Sequence, residues 1–531
     1  MGTHLAHLTG MKKRTIAAVS AGAALTLILA GCAATESDPA AEQTTLVVDS
    51  TFALSSMDPA RAFEATGTMV NHNVYETALT FAGSDLSTLV PQVADYTISD
   101  DNRLVTLTLT GDSTFSDGTA VTADDVVFSY QRLQGVLGNP SFLLDGVTVT
   151  KVDDQTVELL SETDNPQLPF ILPNPALSIL QQSAVVDNGG TLDETDAAET
   201  FLTSTSVGSG PYMYDTVAVT TAISLVKNPS YAGEEPYYDR IVINNVGADT
   251  QRINLEGGQT DIALNISSDE AEQVDTNDFS VTTGASAATY YLWLNTDDAF
   301  GGVAADVNFV KAMRHAIDYD SILDVVGLGS QQPGGVVPLQ FAGSLESDEN
   351  NTYDPDLAED LLAESGYAGE IVNVLYSSEN AFAANVTQIV QANAAAIGVT
   401  IELNPQTAAN TLDLFRGGEY QAGLANWGAD FPDAANYLVF APEGNIGART
   451  AWNFGDGATA DQIQPLAAAA AAASGDDDRA DAYIAFQEAL NDYGPYIPLF
   501  QPAEIVIGDV ALTGIASNAL WAIDFSTVAG S

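Results

Sequence analysis

Few residues in this chain are equipped for chemistry. Beyond residue 31 it carries two histidines, His72 and His315, far apart and in no metal-ligand spacing, so structural zinc and histidine-dependent hydrolysis have no constellation to rest on. No GxSxG elbow and no GxGxxG fingerprint occurs; Gly208-Ser209-Gly210 offers the first two glycines and then meets Pro211 and Tyr212. Ser224-Leu225-Val226-Lys227 spells the SxxK of penicillin-binding enzymes, but in a strand-like run with no KTG partner, and reads as a strand serine beside a surface lysine. No catalytic residue, metal or cofactor is expected. What remains is Asn426-Trp427-Gly428-Ala429-Asp430. A carboxylate in a closing cleft holds an ammonium group by charge-assisted hydrogen bonds, about 1.5–3 kcal/mol net. An indole beside it adds stacking area that tolerates many partners.

Taken alone, Trp427 reads as core and Asp430 as a loop cap; their placement decides. From about residue 286 the texture becomes alternating strand and helix. Asp354-Pro355 opens a helix carrying Leu357, Leu361 and Leu362, and Gly366 stops it. Strands over 371–376, 399–403 and 421–426 follow, separated by helices over 381–397 and 408–416. That order predicts parallel strands joined by crossovers, and ligands in such sheets sit outside the carboxyl ends of strands. The third strand runs directly into the tryptophan segment. A last helix starting at 476–478 should bury Tyr483, Phe486 and Leu490, and two closing strands over 497–500 and 505–507 are expected to return to the first half of the chain, giving a hinge more than one crossing.

The first half reads as short strands over 45–48, 105–110, 156–159, 223–226 and 241–243, with one clear helix opened by Thr122-Ala123-Asp124-Asp125. The composition narrows the partners. Fifteen Lys and Arg face 71 Asp and Glu, a net charge of −56, so phosphate backbones are repelled and nucleic-acid binding is excluded. With 46% hydrophobic residues a core is readily built, and 531 residues predict several domains. So large an acidic excess also hints at a salty habitat.

Lys12, Lys13 and Arg14 precede an apolar run over 16–30, too short to span a bilayer comfortably, which reads as a signal peptide. It ends in Leu29-Ala30-Gly31-Cys32, similar to a bacterial lipobox, with the chain's one cysteine as the lipidated mature N-terminus. Residues 33–44 would tether the protein within roughly 40 Å of the outer face of the cell membrane.

In order along the chain stand Leu54-Ser55-Ser56-Met57-Asp58-Pro59, Val74-Tyr75-Glu76-Thr77, Phe115-Ser116-Asp117-Gly118-Thr119 through Thr122-Ala123-Asp124-Asp125-Val126, Gly208-Ser209-Gly210-Pro211-Tyr212, Lys227-Asn228-Pro229-Ser230-Tyr231, Ala316-Ile317-Asp318, Tyr353-Asp354-Pro355 and the Trp427–Asp430 segment. Together they resemble the extracytoplasmic substrate-binding proteins of ABC importers, family 5, the peptide, nickel and opine class. The resemblance implies an α/β, two-lobe, periplasmic-binding-protein-like fold of class II with a subdomain inserted in the first lobe. The expected boundaries are a signal peptide over 1–31, an anchor and tether over 32–44, a first lobe from 45–75, 200–285 and 501–531, an insert over 76–199 and a second lobe over 286–500.

It also implies a non-enzymatic, monomeric receptor that hands small peptides to an ABC permease. In such proteins the aspartate at the position of Asp430 pairs with the peptide amine. Main-chain groups at Asn426 and Gly428 pair with the peptide backbone beside Trp427, and a loop matching Phe63, Glu64 and Ala65 lines the opposite wall. Departures exist: the customary arginine before "AID" is Val310, and the usual "Yw" and "DP" pairs read Tyr231-Ala232 and Asp433-Ala434. For a peptide carboxylate, the nearby bases are Arg416, which reads as a solvated helix cap, and Arg449, the better candidate. The same fold could hold an oligosaccharide, nickel chelate or opine. A surface hydrolase is the alternative from another class, with no nucleophile–base pair to support it.

Overall fold

The computed structural model describes residues 44–531 except Ala53, Asp298 and 454–457. The expected signal peptide, Cys32 and nearly all of the tether lie outside the described residues. Among these no helix is long and apolar enough to cross a membrane.

Two mixed sheets carry the fold. The first has seven strands in the order Phe279–Ala285, Ala503–Asp509, Ile262–Ala263, Thr45–Ser50, Arg240–Asn245, Ala222–Lys227, Tyr212–Ala218. The second has five, in the order Thr400–Gln406, Ile371–Ser377, Ala422–Gly428, Ala288–Leu294, Tyr496–Phe500. A separate antiparallel sheet of four strands, between residues 94 and 161, is covered by the helix Ala123–Val136. Its strand Leu104–Leu109 buries Val105, Leu107 and Leu109, the alternation its sequence predicts. The helix opens on a capping box in which Thr122 and Asp125 satisfy each other's free backbone donors.

The chain passes between the two large sheets at two neighbouring places. Residues 286–287 lead from Phe279–Ala285 into Ala288–Leu294, and residues 501–502 lead back from Tyr496–Phe500 into Ala503–Asp509. Of the two closing strands only the second therefore rejoins the first sheet; Tyr496–Phe500 pairs with Ala288–Leu294 in the second. Its five residues are all buried, so an apolar edge strand is better placed on the core of the second sheet than exposed on the way out. The buried Gln501 stitches the crossings: its amide donates to Ser286 O at 2.6 Å, while its own oxygen accepts from Leu339 N at 3.0 Å.

The helix Ala65–Val74 has no counterpart in the sequence reading, which expected a loop reaching Ala65. Thr, Val, Asn and Gly make ATGTMVNHNV a poor intrinsic helix. Burial of Met69, Val70, Asn73 and Val74 stabilises it instead. Val310 is packed in the second lobe's core, while Arg314, one turn on, is fully buried and bonded to Asn351, Asn491 and the carbonyl of Tyr496.

A buried ionic cluster ties the turn at Asp58 to the helix Ala123–Val136 and to Asp196. Arg132 donates to both oxygens of Asp58 at 2.8 and 2.6 Å and to both of Asp196 at 2.8 and 2.9 Å, with all three side chains inaccessible. Burial opposes ionisation of Asp196, but the Arg132 guanidinium outweighs it and holds the carboxyl below the usual range. Replacing Arg132 by Met leaves Asp58 and Asp196 with only Arg61, at 2.9 and 3.1 Å, to neutralise them among the described residues, and should cost up to about 3 kcal/mol in urea unfolding, the low end of the range for breaking a buried pair. Because the native pKa of Asp196 is depressed, the cluster's contribution is present at neutral pH and is lost as pH falls below the ordinary aspartate range. An unchanged urea midpoint in Arg132→Met would contradict this account.

Candidate functional site

The strand Ala422–Gly428 is paired along its whole length on one side, Ala288 opposite Gly428 through Leu294 opposite Ala422. On the other side its parallel neighbour stays only for two positions, Val374 with Ala422 and Leu375 with Gly423. From Leu424 to Gly428 that edge has no strand beside it among the described residues. Gly423 marks the divergence: a Cβ there would come within 2.7 Å of the Trp293 ring and 2.8 Å of Leu375 O. Beyond it opens a cavity of about 520 Å³, bordered by Leu424, Ala425 and Asn426 and by the helices Ala383–Ala396 and Ala408–Arg416. This is within the usual size of small-ligand sites.

At the end of the strand the tryptophan segment is held by a chain of side-chain bonds. The Trp427 Nε1–H donates to Asn436 Oδ1 at 2.8 Å, and Asn436 Nδ2 donates to Asp430 Oδ2 at 3.1 Å. An indole N–H can only donate, which fixes the amide orientation and turns its NH₂ toward the carboxylate. Asn436 rides on the helical turn Ala434–Phe440, capped by Asp433, which Arg479 grips at 2.7 and 2.9 Å. Ala429 N donates to Ala287 O in the crossing, at 2.8 Å. Burial pushes the Asp430 carboxyl above its ordinary value, partly offset by the Asn436 amide. No basic group lies within ion-pair distance of Asp430 among the described residues.

The first-lobe loop expected to face the site does not border this cavity. Phe63 packs edge-on to Phe142, ring centroids 5.9 Å apart, and rests with Phe431 on the core of the four-stranded sheet. Glu64 caps the start of the helix Ala65–Val74 by position, its oxygens accepting from Ser55 Oγ at 2.7 Å and Phe63 N at 3.1 Å, and Ala65 is exposed. Asn174 reaches the tryptophan segment from the first half of the chain, its Nδ2 donating to Asp430 O at 2.9 Å. Asn426 and Gly428 are exposed on the free strand, whereas Trp427 is half-buried against the second lobe's aromatic core, so its indole is as much anchor as platform. Arg449 lines the cavity together with Asn426, and Arg416 is exposed at the end of its helix. No bond joins Glu64 to Asp430 among the described residues.

Asn174, Asn436 and the cavity residues Tyr290, Thr411 and Phe415 were invisible to motif reading. For Asn436 a signal existed: Asp433 as a cap predicts a turn that brings residue 436 back toward 430. Asn174 lies 256 residues from its partner and left none. Of the other chemistry-bearing residues, Ser224 is buried in a strand and Lys227 is paired with Glu235 and Asp239. His72 stacks on Trp521, and His315 bonds Thr352 O.

The profile of the bacterial extracellular solute-binding proteins, family 5 Middle, matches residues 88–445. The probable D,D-dipeptide-binding periplasmic protein DdpA of Escherichia coli is 25% identical over 410 residues, 76% of this chain and 77% of that protein. Di/tripeptide-binding protein 2 of Pseudomonas aeruginosa is 24% identical over 537 aligned positions, covering 95% of this chain and 97% of its own. The structure of Helicobacter pylori DppA in complex with the peptide STSA superposes with a TM-score of 0.73 at 22% identity, covering 92% of this chain and 98% of that one. The fold is the two-lobe one of these solute-binding proteins.

Removing the Asn436 amide should release both its partners. In Asn436→Ala the Asp430 titration, followed by carboxyl-carbon NMR, is expected to move further up, and leaving the indole N–H unbonded should cost about 1–3 kcal/mol. A midpoint identical to the wild type would show that Asn436 does not tune the carboxylate.

Proposed function

Because the chain belongs to the bacterial extracellular solute-binding proteins of family 5, we propose that it is a receptor, lipid-anchored at Cys32, that binds short peptides between its lobes and delivers them to an ABC permease. The observation that carries the reading is the edge of Ala422–Gly428, unpaired from Leu424 on, leading to a half-buried carboxylate without a cation among the described residues. A peptide lying along that edge would complete the sheet with its own N–H and C=O groups, which every α-peptide offers whatever its side chains. Its ammonium would supply the charge that Asp430 lacks. Gly428 leaves the backbone open to approach, since even a Cβ there would meet only Ala288, at 3.9 Å. The names of the relatives, one for D,D-dipeptides and one for di- and tripeptides, support a peptide cargo over a sugar or a metal chelate.

The ligand arrives between two surfaces that already touch through Asn174 and Phe431, so closure adds contacts from both lobes to one bound molecule. Binding energy that favours the closed arrangement shifts the hinge population toward it. Phe63 and Glu64 would form the wall that meets the ligand from the first lobe.

Calorimetric titration with free and N-acetylated peptides tests the amine role. Asp430→Asn is expected to weaken free-amine peptides by about 2–5 kcal/mol and to leave acetylated ones unchanged. The pH dependence has a definite sign. The ammonium needs the ionised carboxylate, whose pKa is raised in the unliganded protein. Affinity should therefore fall as pH is lowered through that raised value, and this acid limb should vanish in Asp430→Asn. Equal losses for free and acetylated peptides would remove Asp430 from the amine site. For the anchor, Cys32→Ser should shift the protein from the membrane fraction to the soluble one; retention at the membrane would refute lipidation at that residue.

A further inference from the structure

The cavity beside the tryptophan strand is lined by a cation that has no ion-pair partner among the described residues. Arg449, the last residue of the helix Asn445–Arg449, donates to Asn445 Oδ1 at 3.0 Å, and no carboxylate lies within ion-pair distance of it among the described residues. Burial and the neighbouring Arg416 both lower its pKa, partly offset by Tyr291, so the half-buried guanidinium is short of an opposite charge among the described residues. Most other bases here are engaged: Arg61, Arg132, Lys151, Lys227, Arg240, Arg252, Lys311 and Arg479 all make ion pairs. The same cavity contains the Thr411 hydroxyl, buried and without a partner, and the Tyr290 hydroxyl, which accepts from Asn380 and keeps its own proton to donate. Its one acid, Glu379, is exposed and engaged with the backbone N–H of Ala408 at 3.3 Å.

The position of the cation relative to the sheet says which part of a ligand reaches it. Trp293 lies over the face of Gly423, Phe415 stacks on that indole with centroids 4.7 Å apart, and Arg449 sits 5.4 Å above the Phe415 ring. The stack climbs away from the face of the sheet. An added strand keeps its backbone, including its terminal carboxylate, in the plane of the sheet and projects its side chains toward the faces. We propose that this cavity is a specificity pocket for an acidic side chain, so that the preferred cargo is a peptide bearing aspartate or glutamate downstream of its amine. The proposal rests on the peptide reading above and narrows its substrate class. Arg449 pairs with the side-chain carboxylate, Thr411 donates to it, and Phe415 backs the pairing.

The test is calorimetric titration with a tetrapeptide panel in which glutamate, or its uncharged isostere glutamine, occupies each position in turn, every peptide as free acid and as C-terminal amide. At one position glutamate should bind about tenfold or more tightly than glutamine. Amidation should leave that preference intact. Arg449→Gln should abolish the preference, and Arg449→Lys should restore it in part. Equal affinity of glutamate and glutamine peptides at every position overturns the proposal, as does a preference that survives Arg449→Gln or one that amidation removes, which would assign Arg449 to the terminal carboxylate. Free-amine peptides binding with no such preference would leave the peptide reading standing and this one refuted; binding by none of the panel would refute both.

Discussion

A backbone N–H or C=O that leaves a sheet must find another partner, and alternate residues of the five from Leu424 to Gly428 face that requirement on their open side. The strand Ala422–Gly428 loses its parallel neighbour after Gly423 while keeping its antiparallel one, so one row of donors and acceptors from Leu424 onward is left to solvent or to a ligand. The divergence follows from packing. Trp293 presses on Gly423 from one face, and Ile371–Ser377 turns away toward Asn380 to start the helix Ala383–Ala396. The cavity, the carboxylate at the end of the strand and the half-buried guanidinium all take their positions from that opening.

The buried charges divide into two kinds, and the division separates scaffold from site. Arg132 with Asp58 and Asp196, and Arg479 with Asp433, are neutralised inside the protein, while Arg314 is solvated by amides and a carbonyl. Such groups hold loops in place: Asp58 secures the turn leading to Phe63, and Asp433 secures the turn carrying Asn436. Asp430 and Arg449 are different. Each is substantially removed from water, each is pushed by burial toward its neutral form, and neither has an opposite charge beside it among the described residues. Such groups cost stability until an opposite charge reaches them, which the proposed ligand would supply.

Much of this was legible before any coordinates, for reasons that differ by element. The capped helix after Thr122, the helix at Asp354-Pro355 and the alternating strands and helices of residues 371–428 carry local signals, and each formed close to its expected bounds. The helix Ala65–Val74 lacks a local signal because its stability comes from what it is buried against. The strand Tyr496–Phe500 looked like a returning segment because nothing in YIPLF distinguishes which of two apolar cores it joins. Trp427 and Asp430 stood out by type and position, whereas the amide that couples them did not, since an asparagine has no periodicity. Arg449 was noticeable only because bases are so scarce.

The tie between Asn174 and the tryptophan segment would connect the proposed recognition to closure. Its Oδ1 accepts from Ala176 N at 2.9 Å, capping its own turn, so the side chain is already aimed when its NH₂ meets the carbonyl of Asp430. The residue proposed to hold the ligand amine is thus gripped by the first lobe through its main chain and by the second through Asn436. The crossing strands lie within the same web, Ala287 O receiving both Ala429 N and the Tyr437 hydroxyl at 2.8 and 3.0 Å. A hinge movement that separated the lobes would break the Asn174 bond while leaving Asn436 in place, because Asn436 travels with the sheet that carries Asp430. The carboxylate would then keep its orientation in the open arrangement and lose only the contacts that shield it from water. Ligand capture by a pre-oriented but solvated aspartate, followed by desolvation as Asn174 re-forms its bond, puts the strengthening of the ion pair in the closing step.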